Sequence, residues 1–236
     1  DVCSSDLGID PNRGLLLLAM DLIEGYTLGV LMAKGPLPPD QVQRIFSQVA
    51  DALAFAHSKR IFHRDMKPSN IMMRSDGSPI LVDFGIAKDL NATEEDLGEL
   101  MGTPTYMPPE AFTHGDVDPA KADLYAVGVM MYEALVGGRA FRAVQGGDAT
   151  VYKQVRSQKL KVKALDPGSG VPGGLRQIIR MATAPEPSGR QLNMAELAAA
   201  LKDPTLSRFK KKKAARRREL VLWVGGAAIF ALLASS

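Results

Sequence analysis

His63-Arg64-Asp65-Met66-Lys67-Pro68-Ser69-Asn70 decides the fold, together with Asp83-Phe84-Gly85 farther along the chain. One short loop carries an acid that can take a hydroxyl proton, a lysine two positions later and an asparagine suited to a metal ion. A second carboxylate, Asp83, follows across the apolar pair Ile71-Met72 and the strand-like Ile80-Leu81-Val82. Carboxylate and amide oxygens are the ligands that a hard divalent cation prefers.

This order is similar to the H-R-D-x-K-x-x-N and D-F-G motifs of the eukaryotic-type protein kinases. Further motifs follow in that family's order. Gly102-Thr103-Pro104-Thr105-Tyr106-Met107-Pro108-Pro109-Glu110 resembles its G-T-x-x-Y-M-A-P-E segment, with Pro108 where Ala or Ser is usual. Asp123-Leu124-Tyr125-Ala126-Val127-Gly128 resembles the D-x-Y/W-x-x-G opening of its buried helix. Arg190, after Pro187-Ser188-Gly189, stands where the family keeps an arginine paired with the glutamate matched here by Glu110. The resemblance covers about residues 15–202. It implies a truncated α+β protein-kinase-like fold, with the hinge and a mainly helical large lobe built around short strands. The Gly-rich loop, the phosphate-binding strand lysine and its helix glutamate are then expected upstream of residue 1, which makes the chain a fragment.

Phosphoryl transfer asks for positioned metal ions, a base near the acceptor hydroxyl and cations that offset the charge on the moving group. The resemblance assigns these parts to residues. Asp65 is expected as the base that accepts or orients the hydroxyl, and Lys67 as the cation beside the transferred group, in the position typical of Ser/Thr-specific kinases. Asn70 and Asp83 are expected to hold Mg²⁺. Thr103 is expected near Asp65 and Lys67, where it shapes the peptide-docking loop. Met20 aligns with the gatekeeper, the backbone of Asp21, Leu22 and Ile23 is expected to meet the adenine edge of ATP, and Met72 is expected as the apolar floor beneath it. Asp123 is expected to anchor the catalytic loop, His63 to pack in the core, and Glu110 and Arg190 to form a buried ion pair. Thr93, within Thr93-Glu94-Glu95-Asp96, is the only hydroxyl available for loop phosphorylation between Asp83 and Gly102. Two other functions remain open: a pseudokinase scaffold or regulator, which the retained Asp65, Lys67, Asn70 and Asp83 oppose, and a small-molecule kinase, which the docking-loop motif opposes.

Hydrophobic periodicity supplies the helices. Residues 15–20 form a short unbroken apolar run suited to a buried strand. Pro38-Pro39-Asp40 opens a helix with apolar residues at Val42, Ile45, Phe46, Val49, Leu53 and Ala56. Residues 120–136 are apolar on nearly every side, which predicts a core helix stopped by Gly137-Gly138. Leu175, Ile178, Ile179 and Ala182 mark another helix, and Asn193-x-x-Glu196 predicts a capping box at the start of the last. Pro, Gly and Ala around 164–174 predict a surface loop.

The two ends differ from this body. Residues 1–14 are expected to be irregular, either foreign sequence or the edge of a small lobe. Residues 15–203 are expected as the hinge and large lobe. Residues 210–218 carry seven of the 29 basic residues and no acid, which leaves 22 basic against 26 acidic residues elsewhere, a net of −4. The formal +3 therefore reports the tail alone, and nothing in the body points to nucleic acid. Residues 204–219 read as a basic juxtamembrane linker, and residues 220–236 as the start of a transmembrane helix: 17 residues without charge, with Trp223 near the interface. This arrangement resembles the bacterial receptor-like Ser/Thr kinases, with a single span in the cell membrane, the kinase domain in the cytoplasm and Ser/Thr-bearing proteins as substrates. Ala227, Ala231 and Ser235 recur every four residues and are suited to a homodimer through the span. The single cysteine, Cys3, rules out an internal disulfide.

Overall fold

A computed structural model of the chain describes residues 5–10, 15–84, 104–113, 116–142, 147–203 and 205. Among the described residues two small antiparallel sheets accompany a helical body. In the first, β1 (Ser5–Asp10) pairs with β2 (Leu15–Met20), Ser5 opposite Met20 and Asp10 opposite Leu15. The strand expected at 15–20 is present. The irregular segment expected over 1–14 is corrected at 5–10, because the backbone there pairs with β2 along its whole length. The second sheet has the order β3 (Tyr26–Thr27), β4 (Ile71–Met73) and β5 (Pro79–Leu81), with Thr27 opposite Met72 and Ile71 opposite Leu81.

Among the described residues six α-helices follow from sequence features of different strength. The five-residue α1 (Leu28–Met32) starts where the Thr27 hydroxyl accepts a hydrogen bond from the Val30 amide. Helix α2 (Pro39–Ser58) has proline at its first position, where no intrahelical donor is needed. Its predicted apolar residues, Val42, Ile45, Phe46, Val49, Leu53 and Ala56, are all buried. Helix α3 (Pro119–Val136) is capped by Asp118, whose carboxylate accepts the Ala120 and Lys121 amides. It ends at Gly137, in the left-handed region at φ 71°, where a Cβ would also meet Pro36 at 2.7 Å. Burial on nearly every side makes α3 the axis of the core.

Helices α4 (Asp148–Lys159), α5 (Gly173–Ala182) and α6 (Met194–Leu201) complete the body. Helix α5 buries Leu175, Ile178, Ile179 and Ala182 as its spacing predicts. It approaches α3 so closely that a Cβ at Gly128 would lie 2.8 Å from Ala182 Cβ. The predicted capping box opens α6: Asn193 Oδ1 accepts the Glu196 amide, and the Glu196 carboxylate accepts the Asn193 amide. Helix α6 lies on α2, where the buried Gln43 side chain donates to the Leu201 carbonyl at 2.7 Å. The segment around 164–174 is irregular up to residue 172, as expected. It is not wholly on the surface, because Leu165 and Val171 turn into the core and the Leu165 amide is held by Thr183 Oγ1 at 3.0 Å.

Among the described residues no helix is long and apolar enough to cross a membrane. The basic stretch and apolar run expected over 210–236 lie outside the described residues, as do Thr93, Gly85 and Thr103.

Candidate active site

The loop from Lys59 to Asn70 joins α2 to β4, and α3 fixes its shape. Asp123, 1% exposed within α3, accepts the amides of His63 (Oδ2, 2.9 Å) and Arg64 (Oδ1, 2.9 Å), and His57 Nε2 donates to Oδ2 at 2.8 Å. Three donors on one buried carboxylate satisfy its charge, the arrangement that makes burial tolerable. Two successive amides aimed at one group require a turn of the chain, and Arg64 supplies it in the left-handed region at φ 61°. The strain of a non-glycine residue there persists because the surroundings dictate it.

His63 is fully buried. Its Nε2 faces the Val82 carbonyl at 3.0 Å and must donate, while Nδ1 has no partner among the described residues. Desolvation pushes its pKa below the ordinary histidine value, and the Asp123 charge and the Val82 bond offset this only in part. The ring stacks 4.6 Å from Phe84. His63 is thus a packing residue that ties the loop to the chain leading into Asp83, as expected from the sequence.

The polar residues converge beyond this anchor. Lys67 Nζ donates to Asp65 Oδ2 at 2.8 Å. Asn70 Nδ2 donates to the Asp65 carbonyl at 2.9 Å and approaches Asp65 Oδ2 at 3.4 Å. Pro68 opens the single turn Pro68–Asn70, which brings Asn70 back to the Lys67 carbonyl. With its amide nitrogen committed to Asp65, the Asn70 side-chain oxygen accepts from Ser69 Oγ at 3.4 Å. The Asn70 carbonyl accepts the Val82 amide at 3.0 Å, so the chain to Asp83 runs beside Asn70 at the end of the β4–β5 hairpin. Asp83 is exposed and, like Arg64, left-handed at φ 56°. Among the described residues no group of three His, Cys, Asp or Glu side chains is placed to hold a metal ion.

The other expected positions are distributed as follows. Met72, half-buried in β4, faces Thr27 across the ladder. Met20 ends β2, and Asp21, Leu22 and Ile23 form an extended connector to β3, with Leu22 91% exposed.

A second wall faces the loop. Residues 104–112 form two short turns. A cavity of about 30 Å³ separates Arg64 to Lys67 from Tyr106, Met107 and Pro108, with Asp123 and Ala126 at its base. Arg190 is completely buried and pairs bidentately with Glu110 at 2.6 and 2.7 Å. It also donates to the carbonyls of Ala184 and Pro185, each at 2.8 Å. This is the ion pair expected from the sequence. Sequence reasoning missed three groups: His57 on Asp123, Lys159 on the Met107 carbonyl, and Glu133, which accepts from Tyr106 at 2.8 Å and from the Ala140 amide at 3.0 Å. Burial, and then the Glu133 charge, push the Tyr106 phenol above its ordinary range, so it stays protonated and donates. A lone glutamate within the apolar 120–136 run was a usable signal, because a buried carboxylate demands partners.

The decisive comparison is that residues 9–198 match the protein kinase domain. The chain belongs to the protein kinase domain family. It is 35% identical over 189 residues to the serine/threonine-protein kinase PknL of Mycobacterium tuberculosis, covering 78% of this chain and 46% of that protein. It is 36% identical over 200 residues to the serine/threonine-protein kinase PknH of Mycobacterium bovis, covering 81% of this chain and 32% of that one. Over a shorter stretch of 128 residues it is 42% identical to serine/threonine-protein kinase 36 of Pongo abelii, covering 54% of this chain and 10% of that protein. The chain thus spans about half the length of PknL and less of the other two. Within the kinase domain the Asp65, Lys67 and Asn70 constellation occupies the loop held by Asp123, and residues 104–112 form the wall opposite it.

Proposed function

We propose that the protein containing this chain is a serine/threonine kinase that transfers the γ-phosphoryl group of ATP to Ser or Thr hydroxyls of other proteins. The observation that carries this reading is the cluster of Asp65, Lys67 and Asn70, in which the Lys67 and Asn70 side chains both reach Asp65, at 2.8 to 3.4 Å, on a loop anchored from the core. The carboxylate of Asp65 takes the proton of the acceptor hydroxyl or orients that hydroxyl in line with the γ-phosphorus. The new bond joins the acceptor oxygen to phosphorus, the bond from phosphorus to the bridging β-phosphate oxygen breaks, and ADP leaves. Lys67, already beside Asp65, offsets negative charge on the group in transit. The oxygens of Asn70 and Asp83 fit Mg²⁺, and Mg²⁺ held there would neutralise charge on the ATP phosphates. Met20, Asp21, Leu22, Ile23 and Met72 are proposed to line the adenine, and Thr103 to bridge the catalytic loop and the docking segment.

Phosphoamino-acid analysis of a generic acceptor such as myelin basic protein, labelled by the full-length protein, tests the acceptor class. Phosphoserine and phosphothreonine are expected, and label confined to phosphotyrosine would contradict the assignment.

Residues 15–203 are proposed as hinge and large lobe, 204–219 as a cytoplasmic linker and 220–236 as part of a single span. The support is sequence chemistry. Carrying seven cations across a bilayer is costly, whereas 17 uncharged residues approach the minimum spanning length. The recurrence of Ala227, Ala231 and Ser235 supports close approach of two such helices and hence a homodimer. Reporters fused before residue 210 and after a completed span are expected to report cytoplasmic and external locations respectively. Recovery of the protein in the soluble fraction would refute the anchor.

A further inference from the structure

Helix α4 places a lysine where packing alone would select an apolar residue. Lys159, the last residue of the helix, is 1% exposed. Its Nζ donates to the Met107 carbonyl at 2.6 Å and lies over the rings of Phe141 and Tyr125, at 4.1 and 4.6 Å from their centroids. Among the described residues it enters no ion pair. A buried cation without a carboxylate is expensive, and the faces of two aromatic rings recover only part of that cost. Burial accordingly holds its ammonium pKa well below the ordinary lysine value, with the Glu133 charge opposing.

The cost has an identifiable return in the geometry. One turn earlier on the same face, Arg156 Nε donates to the Phe112 carbonyl at 3.2 Å, and the Phe112 ring packs 5.0 Å from Tyr152. A single helix thus holds the backbone of residues 104–112 at two carbonyls, Met107 and Phe112. Lys159 holds the nearer one, in the wall that faces Asp65 and Lys67 across the small cavity.

We propose that Lys159 is a positioning residue for the acceptor: by fixing the Met107 carbonyl it sets the wall on which the substrate peptide docks opposite Asp65. The proposal rests on the kinase reading above and deepens it. Lys159 does not line the cavity beside Asp65 and Lys67 and reaches it only through Met107, so its effect is expected on the acceptor alone.

The test compares wild type, Lys159→Met and Lys159→Arg in the full-length protein, with two readouts. Hydrogen exchange follows the amides of Met107, Ala111 and Thr113, which bond to the Pro104, Pro108 and Glu110 carbonyls and so report on the segment. Steady-state kinetics with myelin basic protein give KM for acceptor and for ATP separately. Lys159→Met, which preserves length and packing, is expected to speed exchange across residues 107–113 while peptides from α3 keep their protection. It is expected to raise the acceptor KM about tenfold, with the KM for ATP changed by less than about twofold. Lys159→Arg keeps the donor and is expected to recover most of both effects. Unchanged exchange in Lys159→Met would overturn the clamp, and faster exchange with an unchanged acceptor KM would overturn the positioning role. Equal behaviour of the Met and Arg variants would show that packing, not the donated hydrogen bond, matters, and would also overturn it. Absence of transfer by wild type would refute the kinase reading and the acceptor role with it, while the exchange data would still decide whether Lys159 clamps the segment.

Discussion

Asp65→Asn is expected to lower phosphoryl transfer by about 10²-fold or more, because it removes the proposed base and its charge while leaving the loop in place. The geometry explains why the loop should survive. Asn70 is held by the backbone carbonyl of residue 65, not by its side chain alone, and His63 and Arg64 are fixed by Asp123. An asparagine oxygen can still accept from Lys67. Nucleotide affinity is therefore expected to stay within a few-fold of wild type, and the loss to appear in turnover. Single-turnover transfer together with binding of a non-hydrolysable ATP analogue separates the two quantities. Transfer within a few-fold of wild type would remove Asp65 from the role assigned to it.

Arg190→Ala carries the largest expected cost in stability. The guanidinium is completely buried and holds the Glu110 carboxylate together with the Ala184 and Pro185 carbonyls. Its removal strands a mostly buried carboxylate and two carbonyls, and breaking such a pair costs roughly 3–5 kcal/mol. That is a large share of the roughly 5–15 kcal/mol by which a domain is stable. Joint replacement, Glu110→Leu with Arg190→Met, is expected to cost much less, because no unpaired charge remains. Urea unfolding of the single and double variants checks this. Equal destabilisation by both would show that packing rather than charge pairing dominates at the site.

The parts of the structure that were legible share one property: their cause is local in sequence or repeats in it. Helices α2, α3 and α5 show apolar spacing, and α6 begins at a capping box that four consecutive residues spell out. The polar triangle was legible because Asp65, Lys67 and Asn70 lie within six positions of one another. Helix α4 was not legible, because its inward face is the short set Val151, Tyr152 and Val155 followed by a lysine, Lys159, in an otherwise polar stretch. Strand β1 reads Ser-Asp-Leu-Gly-Ile-Asp, and what makes it a strand is its pairing with β2 rather than its own composition. The contact of Lys159 with Met107 spans 52 positions, and that of Tyr106 with Glu133 spans 27, with no spacing rule to announce either. Asp123 and Arg190 act over comparable separations, of 60 and 80 positions, and were legible only through the resemblance of several motifs to one family.

Asp65, Lys67 and Asn70 on the 63–70 loop are expected to direct a γ-phosphoryl group, and no other part of the nucleotide, onto a protein hydroxyl. Parallel reactions of the full-length protein with γ-³²P-ATP and α-³²P-ATP, each with wild type and Asp65→Asn, measure it most directly. Label is expected on serine and threonine of the acceptor from the γ-labelled nucleotide alone, Mg²⁺-dependent and nearly lost in Asp65→Asn. Transfer of the α-label, or γ-transfer that survives Asp65→Asn undiminished, would contradict it.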